Sequence, residues 1–263
     1  MAGGKENIDI ILEVREVYKH FGGIAAVDNC SFKVQRGIIT GLIGPNGAGK
    51  TTVFDLISGF YAAEAGDVLF NNTKITRLQA HQRAGLGIAR TFQAMRLFPK
   101  MSVLENLLTA SNKVNEALHA AIFNLDILRR RQHPDEQQAR ELLALVGLTD
   151  LADEDAENLS YGQQKLTEII RAMLAGPDLL LLDEPAAGVN PAILKNIVDL
   201  MQNFKKAGGT TLLIEHNMRL VMSICDHIIV LDYGKHLAEG SPHYIQSHPE
   251  VIEAYLGKRK ADA

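Results

Sequence analysis

Ile38-Ile39-Thr40-Gly41-Leu42-Ile43 runs directly into Gly44-Pro45-Asn46-Gly47-Ala48-Gly49-Lys50-Thr51, and Thr51 to Ser58 follows. The first segment is short, β-branched and nearly all apolar, which suits a strand buried on both faces of a parallel sheet. The last segment puts Val53, Phe54, Leu56 and Ile57 on one side of a helix that Gly59 stops. Between them lies a complete G-x-x-x-x-G-K-[ST] pattern, in the strand–turn–helix context that gives it meaning. Its glycines let backbone N–H groups approach phosphate oxygens without Cβ collisions. The helix start adds unsatisfied donors and partial positive charge. Lys50 places a point charge where terminal phosphates would lie, and the Thr51 hydroxyl can ligate magnesium.

Working outward, Leu179 to Leu182, Thr211 to Glu215 and Ile228 to Leu231 are further buried strands separated by helices, so the core is α/β. Ile10 to Val17 and Ser31 to Val34 read as antiparallel strands at one edge. From about Pro99 to Leu159 the pattern is helical, with no convincing strand. Ser102 and Glu105 have capping-box spacing, and Glu136 to Val146 repeats apolar residues up to Gly147. Arg129, Arg130 and Arg131 read as a solvated helix face. The expected organisation is a phosphate-loop NTPase core over 8–92 and 160–257, with an antiparallel edge subdomain. A helical subdomain is inserted at 93–159, and mobile tails are expected at 1–7 and 258–263.

The 263 residues exceed one average domain of ~150 and can bury a sizeable core. With 46% hydrophobic and 22% charged residues, the chain is ordinary globular material rather than a disordered one. A net charge of −4 gives no global drive toward nucleic acid or an anionic membrane. Cys30 and Cys225 form neither a disulfide framework nor a zinc cluster, and read as buried thiols in a reducing compartment. The longest unbroken apolar run, Leu142 to Val146, is far short of the ~20 residues a membrane span needs, and the start has no signal-peptide segment. A soluble protein is expected, meeting a membrane only through partners.

Leu179-Leu180-Leu181-Leu182-Asp183-Glu184 is the natural companion of the loop. An apolar strand ends in acid at the sheet edge where open α/β folds bind ligands. Asp183 is placed to hold magnesium, through water, and Glu184 to activate a water as general base. Taken alone, Asp-Glu after a strand is also an ordinary helix cap. Leu159-Ser160-Tyr161-Gly162-Gln163 starts a helix that reaches Ala175, before Gly176-Pro177. Ser160 and Gln163 have capping-box spacing, which a plain well-capped helix also shows. Gly162 in its first turn costs roughly 1 kcal/mol against alanine. That cost is sensible where another group approaches the backbone, as at a phosphate-binding helix start.

G-P-N-G-A-G-K-T, then Gln93, L-S-Y-G-Q, L-L-L-L-D-E-P and His216, in that order, resemble an ATP-binding-cassette (ABC) ATPase over nearly the whole chain. In that family two cassettes pair head to tail, and the serine–glycine helix start of one closes on the γ-phosphate held by the other. The resemblance implies ATP and Mg2+ as ligands. It makes Gly44 to Thr52 the nucleotide loop, with Thr51, Gln93 and Asp183 toward the metal. Glu184 and His216 become the catalytic pair, and Ser160, Gly162 and Gln163 serve the opposite site. Phe21 matches the aromatic that stacks on adenine, with a core phenylalanine as the alternative, and Val27 the apolar residue beside it. Ala187-Gly188-Val189-Asn190 departs from the usual S-A-L-D. Asn190 with Pro191 is a good helix start, cap then first position, so the aspartate's inter-subunit role does not carry over to it.

R-T-F-Q (Arg90 to Gln93), Leu97 to Leu107, D-E-P-A-A-G-V-N-P and V-I-E-A-Y-L-G (Val251 to Gly257) are similar to the ATPase subunits of branched-chain amino-acid importers. The partners then implied are a second ABC ATPase subunit, identical or related, two integral-membrane permeases and an extracytoplasmic solute-binding protein. The location implied is the cytoplasmic face of the membrane, peripheral through the permeases. A short permease helix would enter between the Gln93 segment and the helical subdomain. Competing readings are an importer of another solute such as urea, a non-transport cassette in DNA repair or on the ribosome, and a phosphotransferase. The spacing from Lys50 to Ser160 leaves no room for a coiled-coil arm, and L-S-Y-G-Q with His216 argues against a phosphotransferase.

Overall fold

The computed structural model describes residues 9–92, 95–110 and 134–256. Gln93, the arginine run at 129–131 and the tails expected to be mobile lie outside the described residues.

Two sheets form the frame. One is antiparallel, in the order β2-β1-β4-β5, built from β1 (Ile10–Phe21), β2 (Ile24–Gln35), β4 (Ala65–Phe70) and β5 (Thr73–Lys74). The other has the order β10-β9-β3-β8-β7-β6 and contains β3 (Ile39–Ile43), β6 (Ile88–Arg90), β7 (Leu179–Asp183), β8 (Thr210–Ile214), β9 (His227–Asp232) and β10 (Lys235–Gly240). Its strands are parallel except β10, which pairs antiparallel with β9. The four apolar runs seen in the sequence are β3, β7, β8 and β9. Every residue of β3, β7 and β8 is buried, which is why these runs do not alternate with polar residues.

Successive side chains in these strands serve opposite faces. Leu180, Leu182, Leu213 and Val230 enter one core with α5 (Tyr161–Leu174), α6 (Pro191–Lys206) and α7 (Met218–Ile224). Leu179, Leu181, Leu212 and Leu231 enter a second core with α1 (Lys50–Ser58) and the antiparallel sheet. Each such leucine contributes about 1.5–3 kcal/mol by leaving water. The middle of the chain holds α3 (Val103–Leu108) and α4 (Pro134–Leu145), which pack on α5 through Val103, Leu107, Ala139, Leu143, Leu166 and Ile170. The two capping boxes form as their spacing predicts, Ser102 with Glu105 and Ser160 with Gln163. The Asn190 side chain caps α6, accepting the Ile193 N–H at 3.0 Å. The chain closes with α8 (Pro242–Ser247) and α9 (Pro249–Leu256). No helix among the described residues is long and apolar enough to cross a membrane.

Among the described residues Arg83 is the most deeply buried charged side chain. It lies on α2 (Ala80–Gly85) and is 1% exposed. Its guanidinium donates to the carbonyls of Leu56 and Ile57 at the end of α1, and to those of Thr76 and Leu78. It thereby satisfies carbonyls that a helix end leaves open. Burial pulls its pKa down to about 10, so it stays charged near neutrality. Arg83→Met strands these carbonyls and is expected to cost about 3 kcal/mol of stability. A urea midpoint that does not move would contradict this account of the α1 terminus.

Candidate functional site

The chain leaves β3 at Ile43 into a loop with almost no lateral room. Gly44, at φ 152°, lies against β9, where a Cβ would stand 2.1 Å from the Leu231 carbonyl oxygen. Gly49, at φ 91°, lies against β2, where a Cβ would stand 2.3 Å from the Ala26 oxygen. Only glycine fits at either place. Lys50, 6% exposed, turns its ammonium back into the loop and donates to the Gly44 oxygen at 2.8 Å and the Pro45 oxygen at 2.9 Å. Burial lowers its pKa, and the charges of Glu184 and Asp183 oppose that shift. Asn46, Gly47, Ala48, Gly49, Lys50, Thr51 and Thr52 line a cleft of about 400 Å³ together with Ile24, Ala25, Ala26, Glu184 and His216.

The acidic pair arrives from β7. Asp183 is buried and takes a hydrogen bond from Arg90 Nη2 at 3.1 Å. Arg90, on the neighbouring strand β6, also donates from Nη1 to Asp55 at 2.6 Å and to Ser58 at 2.9 Å, both on α1. One guanidinium thus ties the acidic strand end to the phosphate-loop helix. Burial pushes the Asp183 carboxyl up, and Arg90 opposes the shift. Glu184 follows at φ 48°, a left-handed conformation uncommon for a residue with a side chain. Its N–H donates to the Ile214 oxygen at 3.0 Å, and its Oε1 lies 2.9 Å from His216 Nε2. A carboxylate and an imidazole therefore meet at the ends of adjacent strands, beside the lysine of the loop. Behind them, Glu215 accepts the N–H groups of Ala186 at 2.6 Å and His216 at 3.1 Å, bracing both exits from the sheet.

A magnesium ion fits these donors. The Thr51 hydroxyl belongs to an exposed residue at the helix start, and the Asp183 carboxylate has its Oδ2 engaged by Arg90. Among the described residues no three or more His, Cys, Asp or Glu side chains gather into a metal cage.

The second helix start stands apart from this cleft. Ser160, Gly162 and Gln163 are not among its lining residues. Gly162 has a neighbour that the sequence did not reveal: a Cβ there would lie 2.9 Å from Ile193 Cγ1 of α6. Close helix packing is therefore a sufficient reason for the glycine, and a phosphate is not needed to explain it. Phe21 is 42% exposed, so the core alternative is excluded. Its ring meets Tyr61 edge-on at 5.1 Å, and it pairs across the hairpin with Ile24 of the cleft. Val27 is a correction. It is 0% exposed and packs into the second core, while Ala25 and Ala26 line the cleft in its place. Of the other histidines, His243 is exposed, while His236 and His248 are half-buried. Cys30 and Cys225 are buried thiols, each pushed up to about 12 mainly by burial.

Three functional neighbours escaped the sequence reading: Arg90, Glu215 and Lys165. Arg90 was visible only as part of R-T-F-Q and Glu215 only as the end of a strand. Their partners lie far along the chain, so no local spacing marks them. Lys165, on α5, is buried and donates to the carbonyl oxygens of Glu184 and of Ala187, the latter at 3.1 Å.

Comparison with known proteins agrees with this geometry. Residues 27–187 match the family described as ABC transporter, and residues 235–261 match the one described as branched-chain amino acid ATP-binding cassette transporter. The chain is 43% identical to the high-affinity branched-chain amino acid transport ATP-binding protein BraF of Pseudomonas aeruginosa, over 94% of this chain and 98% of that protein. It is 42% identical to LivG of Escherichia coli, with the same coverage. Among solved structures, a nucleotide-free ATP-binding cassette from an ABC transporter superposes with a TM-score of 0.80 at 34% identity, covering 94% of this chain and 99% of that one. The ADP conformation of such a cassette superposes equally well at 35% identity, with the same coverage. The cleft, the acid–histidine pair and these likenesses converge: the chain belongs to the ABC transporter family and is one of its ATP-binding cassettes.

Proposed function

We propose that this cassette drives a membrane importer of branched-chain amino acids, and that it works against a second cassette with ATP and Mg2+ between them. ATP hydrolysis coupled to transport is the activity of its family. The solute follows the relatives, which are named for branched-chain amino acid transport over nearly the full length of this chain. The observation that carries the reading is the separation of parts. Lys50, Glu184 and His216 share one cleft, while Ser160 belongs to a helix start outside it. A second subunit brings its own Ser160-like start to this cleft and receives ATP opposite Ser160 in return.

In this reading the loop N–H groups and Lys50 hold the β- and γ-phosphates, while Thr51, Asp183 and Gln93 hold the metal. Magnesium, when bound, neutralises charge that develops on the phosphate oxygens. Phe21 offers a face to the adenine, with Tyr61 fixing its ring. Glu184 takes a proton from the attacking water as the oxygen–phosphorus bond forms, and the bond to the ADP oxygen breaks. His216 holds the Glu184 carboxylate and reaches the γ-phosphate. ATP closes the pair and moves two permeases. Hydrolysis reopens it, so the chemistry resets a conformational cycle. An extracytoplasmic solute-binding protein supplies the amino acid, and the cassette stays on the cytoplasmic face, held by the permeases. The core is proposed to span 8–92 and 160–257, with 93–159 as the helical subdomain.

Lys50→Ala is expected to abolish ATP binding in calorimetry, and an unchanged affinity would refute the loop's role. Glu184→Gln in the assembled transporter is expected to lower ATP turnover about 10²–10⁴-fold, the range for losing a general base. Near-native turnover would defeat that assignment. For the solute, vesicles containing the whole transporter are expected to accumulate leucine, isoleucine or valine only with ATP. Uptake of an unrelated solute in their place would redirect the proposal.

A further inference from the structure

The φ of 48° at Glu184 must be held by its surroundings, because the conformation is costly for a residue with a side chain. Three bonds hold the residue's backbone. The N–H donates to the Ile214 carbonyl of β8, at 3.0 Å, and the C=O accepts both the Ala187 N–H, at 3.1 Å, and the Lys165 ammonium. The same ammonium takes the Ala187 carbonyl at 3.1 Å, so it spans the turn that leaves β7. Lys165 is buried and lies over the Tyr161 ring, 5.8 Å from its centroid. The charges of Glu215, Glu184, Glu168 and Asp183 favour its ionised form against burial. An apolar side chain would fill this place without desolvating a charge. What the ammonium adds is a pair of charge-assisted bonds to the backbone of the Glu184–Ala187 turn.

We propose that Lys165 is a positioning residue for hydrolysis: by holding the Glu184 and Ala187 carbonyls it fixes the left-handed turn that aims the Glu184 carboxylate into the phosphate cleft. Lys165 sits on the helix that Ser160 caps, so one helix carries both the second helix start and a bond to the turn. Lys165, with Tyr161 packed beside Gly188, links that helix to the turn that carries Glu184. The proposal rests on Glu184 being the base of the reaction.

The test compares Lys165→Met, Lys165→Gln, Lys165→Arg and Glu184→Gln in the assembled transporter, reading ATP affinity, turnover and melting temperature. Lys165→Met is expected to lower kcat about 10- to 100-fold, the equivalent of one or two charge-assisted bonds, with ATP affinity within about twofold of native. Lys165→Gln, which retains a donor, falls between Met and native. Lys165→Arg, which retains two donors and the charge, recovers most of the turnover. A kcat for Lys165→Met within about twofold of native overturns the proposal, as does a parallel loss of affinity and turnover. If Lys165→Met does not fold, the comparison of Gln with Arg decides, and equal turnover in those two overturns it. A native-like Lys165→Met beside a silent Glu184→Gln sinks the positioning role alone. An active Glu184→Gln sinks the base assignment on which it stands.

Discussion

The parallel register of three buried strands is the constraint on which the site depends. Leu42 of β3 and Asp183 of β7 both pair with Ile214 of β8, so the three strands end level with one another. Their exits, Gly44, Glu184 and Glu215 with His216, therefore emerge side by side at the carboxyl edge of the sheet. The register is fixed by burial on two faces. Sliding β7 by one residue would exchange Leu179 and Leu181 for Leu180 and Leu182 between two filled cores. Hydrophobic packing thus sets the position of the polar groups, and α1 starts where the loop from β3 returns.

Around that edge the protein buries an unusual set of charges: Lys50, Asp183, Lys165, Glu168 and Glu215. Most of them bond to the backbone rather than to one another. Lys50 holds loop carbonyls, Lys165 holds turn carbonyls, and Glu215 accepts N–H groups from both strand exits. Asp183 and Glu168 are the exceptions, Asp183 joined through Arg90 to Asp55 and Glu168 lying 3.9 Å from Arg171. Buried ions are poor sources of net stability. Here they bond loop and turn backbone, including the carbonyl of the left-handed residue that carries the carboxylate. Each loop shape is then already in place when a polyphosphate arrives, which is what electrostatic preorganisation requires.

Much of this was legible in the sequence because it is local. The phosphate loop is a contiguous pattern, the central strands are unbroken apolar runs, and Ser102, Ser160 and Asn190 announce helix starts within four residues. What was not legible is tertiary. The apolar pattern ends at Val17 and resumes at Ser31, yet β1 and β2 both extend toward a hairpin between Phe21 and Ile24, through polar residues with no clear alternation. β10 escaped because an edge strand carries Lys235, His236 and Glu239 among few apolar residues. Resemblance puts Val27 beside the adenine, but the pleat turns it into the core. Gly162 was correctly seen as a place of close approach, and the group approaching it in this chain is the Ile193 side chain. Arg90, Glu215 and Lys165 act on partners from other elements, and only the folded chain brings them together.

The central claim is that the phosphate loop and the Ser160 helix start of one chain serve different nucleotides. The most direct measurement is photolabelling of the assembled transporter by an ATP analogue reactive at its γ-phosphate, with Lys50→Ala confined to one of the two cassettes. The account predicts label on the Ser160 to Gln163 segment of the chain whose own loop is disabled, delivered by the nucleotide of the other cassette. Absence of label from that segment whenever its own Lys50 is replaced would contradict it.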